Sequence, residues 1–187
     1  MSDEIRIFLA VKVPSSRAIE RVIDELSQLG NAIKAVAPSN LHITLKFLGD
    51  VPPGQLDAIA RTMRDAAANE GPFRFSVRGF GAFPSAARPS VLWAGVTDAE
   101  PLGRLAERLE TSFVTQGFAP EGRPYSPHLT LARVKFRPPD SLPALFERYA
   151  STEFQTVDVD RIHLYRSDSG RGGPVYTPIA EARLKTT

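Results

Sequence analysis

The sequence predicts an α+β fold built twice over: a two-lobed, duplicated arrangement of mainly antiparallel sheets with helices packed on their outer faces. Three observations predict it. Helical and strand periodicities alternate along the chain. Several successive strands are joined by connections too short for a parallel crossover, which needs a dozen residues or more. A motif in the first half recurs in the second at an offset of 128 − 42 = 86 positions, close to half of the 187 residues. The chain 1–187 is therefore expected to form a single domain with two pseudo-symmetric lobes.

Ile5 to Val13 is rich in branched residues and stops at Pro14, as a buried strand near a sheet centre would. Ser15 or Ser16 caps a helix expected from Ser16 to Leu29, with Ile19, Val22, Ile23, Leu26 and Leu29 at helical spacing and Gly30 as its stop. Leu41 to Leu48 returns to strand pattern and ends in the turn Gly49-Asp50-Val51-Pro52-Pro53. A second helix, Gly54 to Asn69, turns Leu56, Ile59, Ala60, Met63 and Ala67 inward. Strands near Phe73–Phe80 and Ser90–Val96 follow, separated by the Gly/Pro/Ala-rich stretch Gly81 to Pro89, read as a loop. The second half brings a helix Pro101–Gln116, a loop Gly117–Pro127, a strand His128–Val134, a turn at Arg137-Pro138-Pro139 and a short helix Leu142–Tyr149. It closes on alternating stretches Gln155–Tyr165 and Val175–Arg183, joined by Ser169-Gly170-Arg171-Gly172-Gly173.

Composition narrows the chemistry. A hydrophobic content of 42% is enough for a real core. The net charge is only +2, so attraction to a polyanion must come from local placement of charge. The absence of cysteine excludes thiol nucleophiles, thiolate metal sites and disulfides together. Histidine, carboxylate, hydroxyl and lysine chemistry remain. The acidic start Met1-Ser2-Asp3-Glu4, and a following apolar stretch interrupted by Arg6 and Lys12, do not read as a signal peptide, and no run approaches the length of a membrane span. A cytoplasmic protein with no membrane association is the expectation.

The motif is Leu41-His42-Ile43-Thr44-Leu45 followed by Pro52-Pro53, echoed by Pro127-His128-Leu129-Thr130-Leu131 followed by Pro138-Pro139. In a strand, histidine and threonine two apart share one face while Ile43 and Leu45, or Leu129 and Leu131, take the other. A lone His-x-Thr is weak; two of the three histidines in equivalent places of an echo are not. Displacement at phosphorus wants incoming and leaving oxygens in line, one group taking a proton and another giving one. Two histidines, with ordinary pKa values of about 6.5, divide that work near neutrality. Thr44 and Thr130 could donate to the non-bridging oxygens. No Asp or Glu accompanies either histidine at ligand spacing, so neither a metal nor another cofactor is expected.

The chain resembles the two-histidine phosphoesterases, specifically the RNA 2′,3′-cyclic phosphodiesterases also called 2′-5′ RNA ligases. The resemblance runs through Arg6-Ile7-Phe8-Leu9-Ala10, Asn40 to Gly49, Gly81-Ala82-Phe83-Pro84, Val91-Leu92-Trp93 and His128 to Arg133. It implies that the motifs line a cleft between two lobes, that His42 is the proton donor and His128 the acceptor, and that RNA ends bearing a 2′,3′-cyclic phosphate, or cyclic nucleotides, are opened to 2′-phosphates. It carries no obligate protein partner, and a monomer is expected. Arg133 follows the second motif, where the family pattern suggests a phosphate or ribose contact, although simple alternation from His128 points it away unless a bulge intervenes. Lys46 shares the face of His42 and Thr44 by alternation and could reach a phosphate. Phe47 falls on the Ile43 face, as core. Phe83 and Arg88, in the stretch Gly81–Pro89, could cover the cleft. His163 reads as an ordinary strand residue. Joining of the same ends, end-binding without catalysis, and a metal hydrolase using all three histidines remain the alternatives.

Overall fold

The first strand, β1 (Ile5–Lys12), buries Ile7, Leu9 and Val11 on one face and Phe8 and Ala10 on the other. A strand apolar on both faces belongs inside a sheet, and β1 pairs on both edges, with β3 (His42–Val51) and β8 (Arg161–Gly170). The computed structural model describes residues 4–185. After β1, Ser16 caps α1 (Arg17–Ser27), its hydroxyl accepting from the Ile19 N–H, and Gly30 turns the chain out at φ 86°.

A short strand β2 (Ile33–Ala35) leads to β3, and α2 (Leu56–Ala67) follows. Then come β4 (Phe73–Ser85), β5 (Arg88–Thr97), α3 (Glu100–Thr115), β6 (His128–Val134), α4 (Leu142–Tyr149) and β7 (Glu153–Val159). The hairpin of β8 and β9 (Gly173–Arg183) closes the fold.

The two sheets are antiparallel throughout, with strand orders β3-β1-β8-β9 and β2-β6-β5-β4-β7. Counted from the motif strands, the four-stranded order corresponds to β6-β5-β4-β7, with β2 added outside β6. Thr44 pairs with Ala10 as Thr130 pairs with Trp93. The helices are exchanged between the halves. α1 follows a strand of the first sheet yet packs on β2, β6 and β7, whereas α3 follows a strand of the second and packs on β3. α2 lies against β8 and β9, and α4 against β4. One continuous apolar core therefore joins both halves, with Leu26 of α1, Ile43 of β3, Leu109 of α3 and Leu129 of β6 among its members.

Two expectations are corrected, and one strand is added. Gly81–Pro89 is no loop: β4 and β5 run on as a long hairpin through Ser85 and Arg88. Gln155–Tyr165 is two strands in different sheets, split at Asp160, where the buried set slips phase from Val157 and Val159 to Ile162 and Leu164. β2, only three residues long, had no readable period.

Candidate active site

His42 opens β3 and His128 opens β6. The two strands follow the same course: intermediate and buried positions alternate from histidine to the residue after threonine, a second buried residue follows directly, and the next is exposed. The second buried residue marks a bulge. In β3, Lys46 pairs with Leu9 and Thr44 with Ala10, so Leu45 has no partner. In β6, Ala132 pairs with Leu92 and Thr130 with Trp93, leaving Leu131 unpaired. One extra residue reverses the facing of everything beyond it.

The bulges decide the doubtful positions. Arg133 returns to the face of His128 and Thr130, which alternation alone denies. Lys46 is turned away from His42 and Thr44, correcting the expectation that it shares their face. Only 2% of it is exposed, and its Nζ lies 2.7 Å from Glu110 Oε2 and donates to the Ala119 carbonyl at 2.9 Å. Phe47, expected in the core, is instead 40% exposed, with the Arg6 guanidinium 4.8 Å above its ring.

Each imidazole is set by its own strand's approach. The Nδ1–H of His42 donates to the carbonyl of Asn40 at 2.6 Å, and that of His128 to the carbonyl of Ser126 at 2.8 Å. Because a carbonyl can only accept, both Nδ1 atoms carry hydrogen and both Nε2 atoms are left for chemistry. An aromatic ring stands edge-on against each. Tyr176 meets His42 at 5.1 Å between centroids and 90°, and Phe83 meets His128 at 4.9 Å and 84°. Phe8 also packs on His42, with 5.0 Å between ring centroids. Burial lowers the His42 pKa below its usual 6.5; the Asn40 bond works against this, and the positive fields of His128 and Arg133 work with it. Both groups thus act on His42 from the opposite sheet.

The loop before β6 is tied to β3. Tyr125 donates its hydroxyl hydrogen to the Thr44 carbonyl at 3.0 Å, and Glu110 accepts from the Glu121 N–H at 2.8 Å. The β8–β9 hairpin is held beside His42 by Asn40, whose Nδ2 donates to the Pro174 carbonyl at 2.8 Å. Phe83 does reach the site; Arg88 sits at the hairpin turn, its N–H donating to Ser85 Oγ. His163 remains in β8 opposite Ala10, with Nε2 3.7 Å from Glu181. Among the described residues, no three His, Asp or Glu side chains form a group that could hold a metal ion.

The sequence gives no sign of a site role for Tyr125 or Tyr176, and marks Trp93 only through the resemblance. A Cβ on Gly81 would occupy the space of the Trp93 ring, so the bare glycine in β4 was the available sign of a large neighbour. Tyr125 and Tyr176 act through tertiary contact and left no local signal.

Two antiparallel sheets, each presenting a His-x-Thr strand, place the chain among the two-histidine phosphoesterases. The chain belongs to the 2′-5′ RNA ligase superfamily, whose family model matches residues 13–171. It is 39% identical over 184 residues to an RNA 2′,3′-cyclic phosphodiesterase of Methanothermobacter thermautotrophicus, covering 97% of this chain and 100% of that one. The crystal structure of TT0787 of Thermus thermophilus superposes with a TM-score of 0.83 at 30% identity, covering 97% and 98% of the two chains. That of E. coli LigT complexed with 3′-AMP gives 0.76 at 26%, covering 98% and 100%.

Proposed function

We propose that the protein hydrolyses 2′,3′-cyclic phosphate ends of RNA to 2′-phosphomonoester ends, by metal-independent acid/base catalysis between His42 and His128. The single observation that carries this reading is the matched pair of imidazoles, each with Nδ1 bonded to a carbonyl and Nε2 free, on strands of two facing sheets. The names of the relatives support the substrate.

In the reaction, His128 Nε2 takes a proton from water as the oxygen bonds to phosphorus. The bond from phosphorus to the 3′ oxygen breaks on the opposite side, and the Nε2–H of His42 protonates that oxygen. The phosphate remains on the 2′ oxygen, and the proton exchanged between the histidines and solvent resets the pair. The Thr44 and Thr130 hydroxyls donate to the non-bridging oxygens, and Arg133 adds positive charge. The anionic substrate favours the protonated form of His42 against its burial. Joining of ends to a 2′-5′ linkage is the same displacement with the 5′ hydroxyl of a second RNA end attacking in place of water and the 3′ oxygen leaving, and uses the same groups. The setting is the cytoplasm, and the working unit is one chain of two pseudo-symmetric lobes, without an obligate partner.

Phosphorus NMR of a 2′,3′-cyclic nucleotide incubated with the protein and EDTA tests the reading. The 2′-phosphomonoester should accumulate, and His42→Ala or His128→Ala should abolish it. Accumulation of the 3′-phosphate, or full turnover in either variant, would overturn it.

A further inference from the structure

Lys34 and Arg133 are direct partners in the β2–β6 ladder. Their neighbours Ile33 and Ala35 turn to the core, so Lys34 leaves on the same side as Arg133, the side of His128 and Thr130. Like charges directly opposite in an antiparallel pair, with Cβ atoms roughly 5 Å apart, repel each other. Neither has a carboxylate within ion-pair distance among the described residues. An unrelieved pair of cations facing a cleft is a cost to the fold that an anion removes.

The β8–β9 hairpin leans over this pair. Gly173 at its tip has φ 130°, and a Cβ there would stand 3.3 Å from Lys34 Cε, so glycine admits the lysine stem against the backbone. Asn40 holds the next residue of the hairpin, and the Arg133 charge is felt both at Tyr176 and at His42. Two exposed cations therefore stand together beside the hairpin that flanks His42. The other opening on the first sheet, lined by Lys12, Arg161 and His163 among others, lacks this character. Its arginine is already held by Asp160 and Glu181.

We propose that Lys34, standing beside Arg133, binds the phosphodiester on the 5′ side of the terminal nucleotide, so that the protein selects RNA ends over free cyclic mononucleotides. This rests on the hydrolytic reading above and names the substrate class of the same site. A lysine at that place holds one backbone phosphate as a point charge, indifferent to base identity.

The test compares a 2′,3′-cyclic mononucleotide lacking a 5′-phosphate with a dinucleotide carrying the same cyclic end. Lys34→Ala should lower kcat/KM for the dinucleotide roughly tenfold more than for the mononucleotide, the weight of one charge-assisted contact. The salt dependence of log(kcat/KM) for the dinucleotide should flatten by about one phosphate's contribution. Lys34→Arg should restore both. Equal losses on the two substrates, or an unchanged ratio, would overturn the proposal. Calorimetric binding of the dinucleotide ending in 2′-phosphate, to the native protein and to Lys34→Ala, reads the subsite without turnover. If the native protein opens neither cyclic end, the hydrolytic reading fails while this binding difference still decides the role of Lys34.

Discussion

The hydroxyl of Tyr125 donates to the backbone carbonyl of Thr44 across 3.0 Å, pinning the loop that delivers His128 onto the strand that carries His42. The contact reaches backbone rather than side chain, so it fixes the position of β3 without engaging the Thr44 hydroxyl. Tyr125→Phe should therefore cost only about 1 kcal/mol of stability, yet lower kcat several-fold as the two imidazoles lose their spacing. Steady-state kinetics beside thermal melting separate the two effects; a fall in Tm with kcat unchanged would make Tyr125 a stabilising residue only.

The pH dependence of kcat/KM reports the free protein. If His42 supplies the proton, the active form is protonated there, and activity falls as pH rises through the lowered His42 value, below 6.5. Removing the positive field with Arg133→Gln should move that alkaline limb to higher pH while reducing the rate. A limb that stays in place in the variant would show that Arg133 does not act on His42.

Lys46 is predicted to matter for stability. Lys46→Met leaves Glu110 without its main partner, and a loss of roughly 2 kcal/mol is expected, less than for a fully enclosed pair because Glu110 keeps 29% exposure. The Lys46 and Glu121 N–H bonds hold the Glu110 carboxyl below its usual 4.5 despite the opposing effect of burial. That stabilisation is present in full above pH 4.5 and is lost as pH falls through the lower folded value. Acid unfolding should accordingly be less steep in Lys46→Met than in the native protein, and parallel curves would contradict the assignment.

Gly81→Ala should push the Trp93 indole off β4. Trp93 is the only tryptophan, so its fluorescence reports the movement directly. A destabilisation of about 1–3 kcal/mol is expected from the crowding, with reduced activity because the displaced ring presses on Phe83, the neighbour of His128. Native emission and activity in the variant would show that the sheet absorbs the methyl elsewhere.

Much of the site could be read in advance because it is written in short-range pattern. β6 and α4 begin and end where periodicity places them, and the doubled His-x-Thr is local to its strands. Lys46 and Phe47 were misplaced for one reason: a bulge inserts a residue without any compositional mark, and alternation then points each side chain the wrong way. Arg133 escaped the same error only through its resemblance to relatives. The β4–β5 hairpin was hidden because Gly81, Pro84 and Pro89 read as turn residues, although the glycine there makes room for an indole. The break at Asp160 was visible as a change of phase in the branched residues, a signal weaker than the continuous alternation around it.

The crossing over of α1 and α3 bears on how such a molecule could arise. Half of this polypeptide would possess a helix but only part of the sheet that helix shields, and so would expose apolar surface on both. Two such halves, paired about a dyad, would shelter one another and contribute a single imidazole apiece. Fusing them end to end would turn an association dependent on concentration into a permanent one, after which each copy was free to diverge, Ala10 on one side and Trp93 on the other.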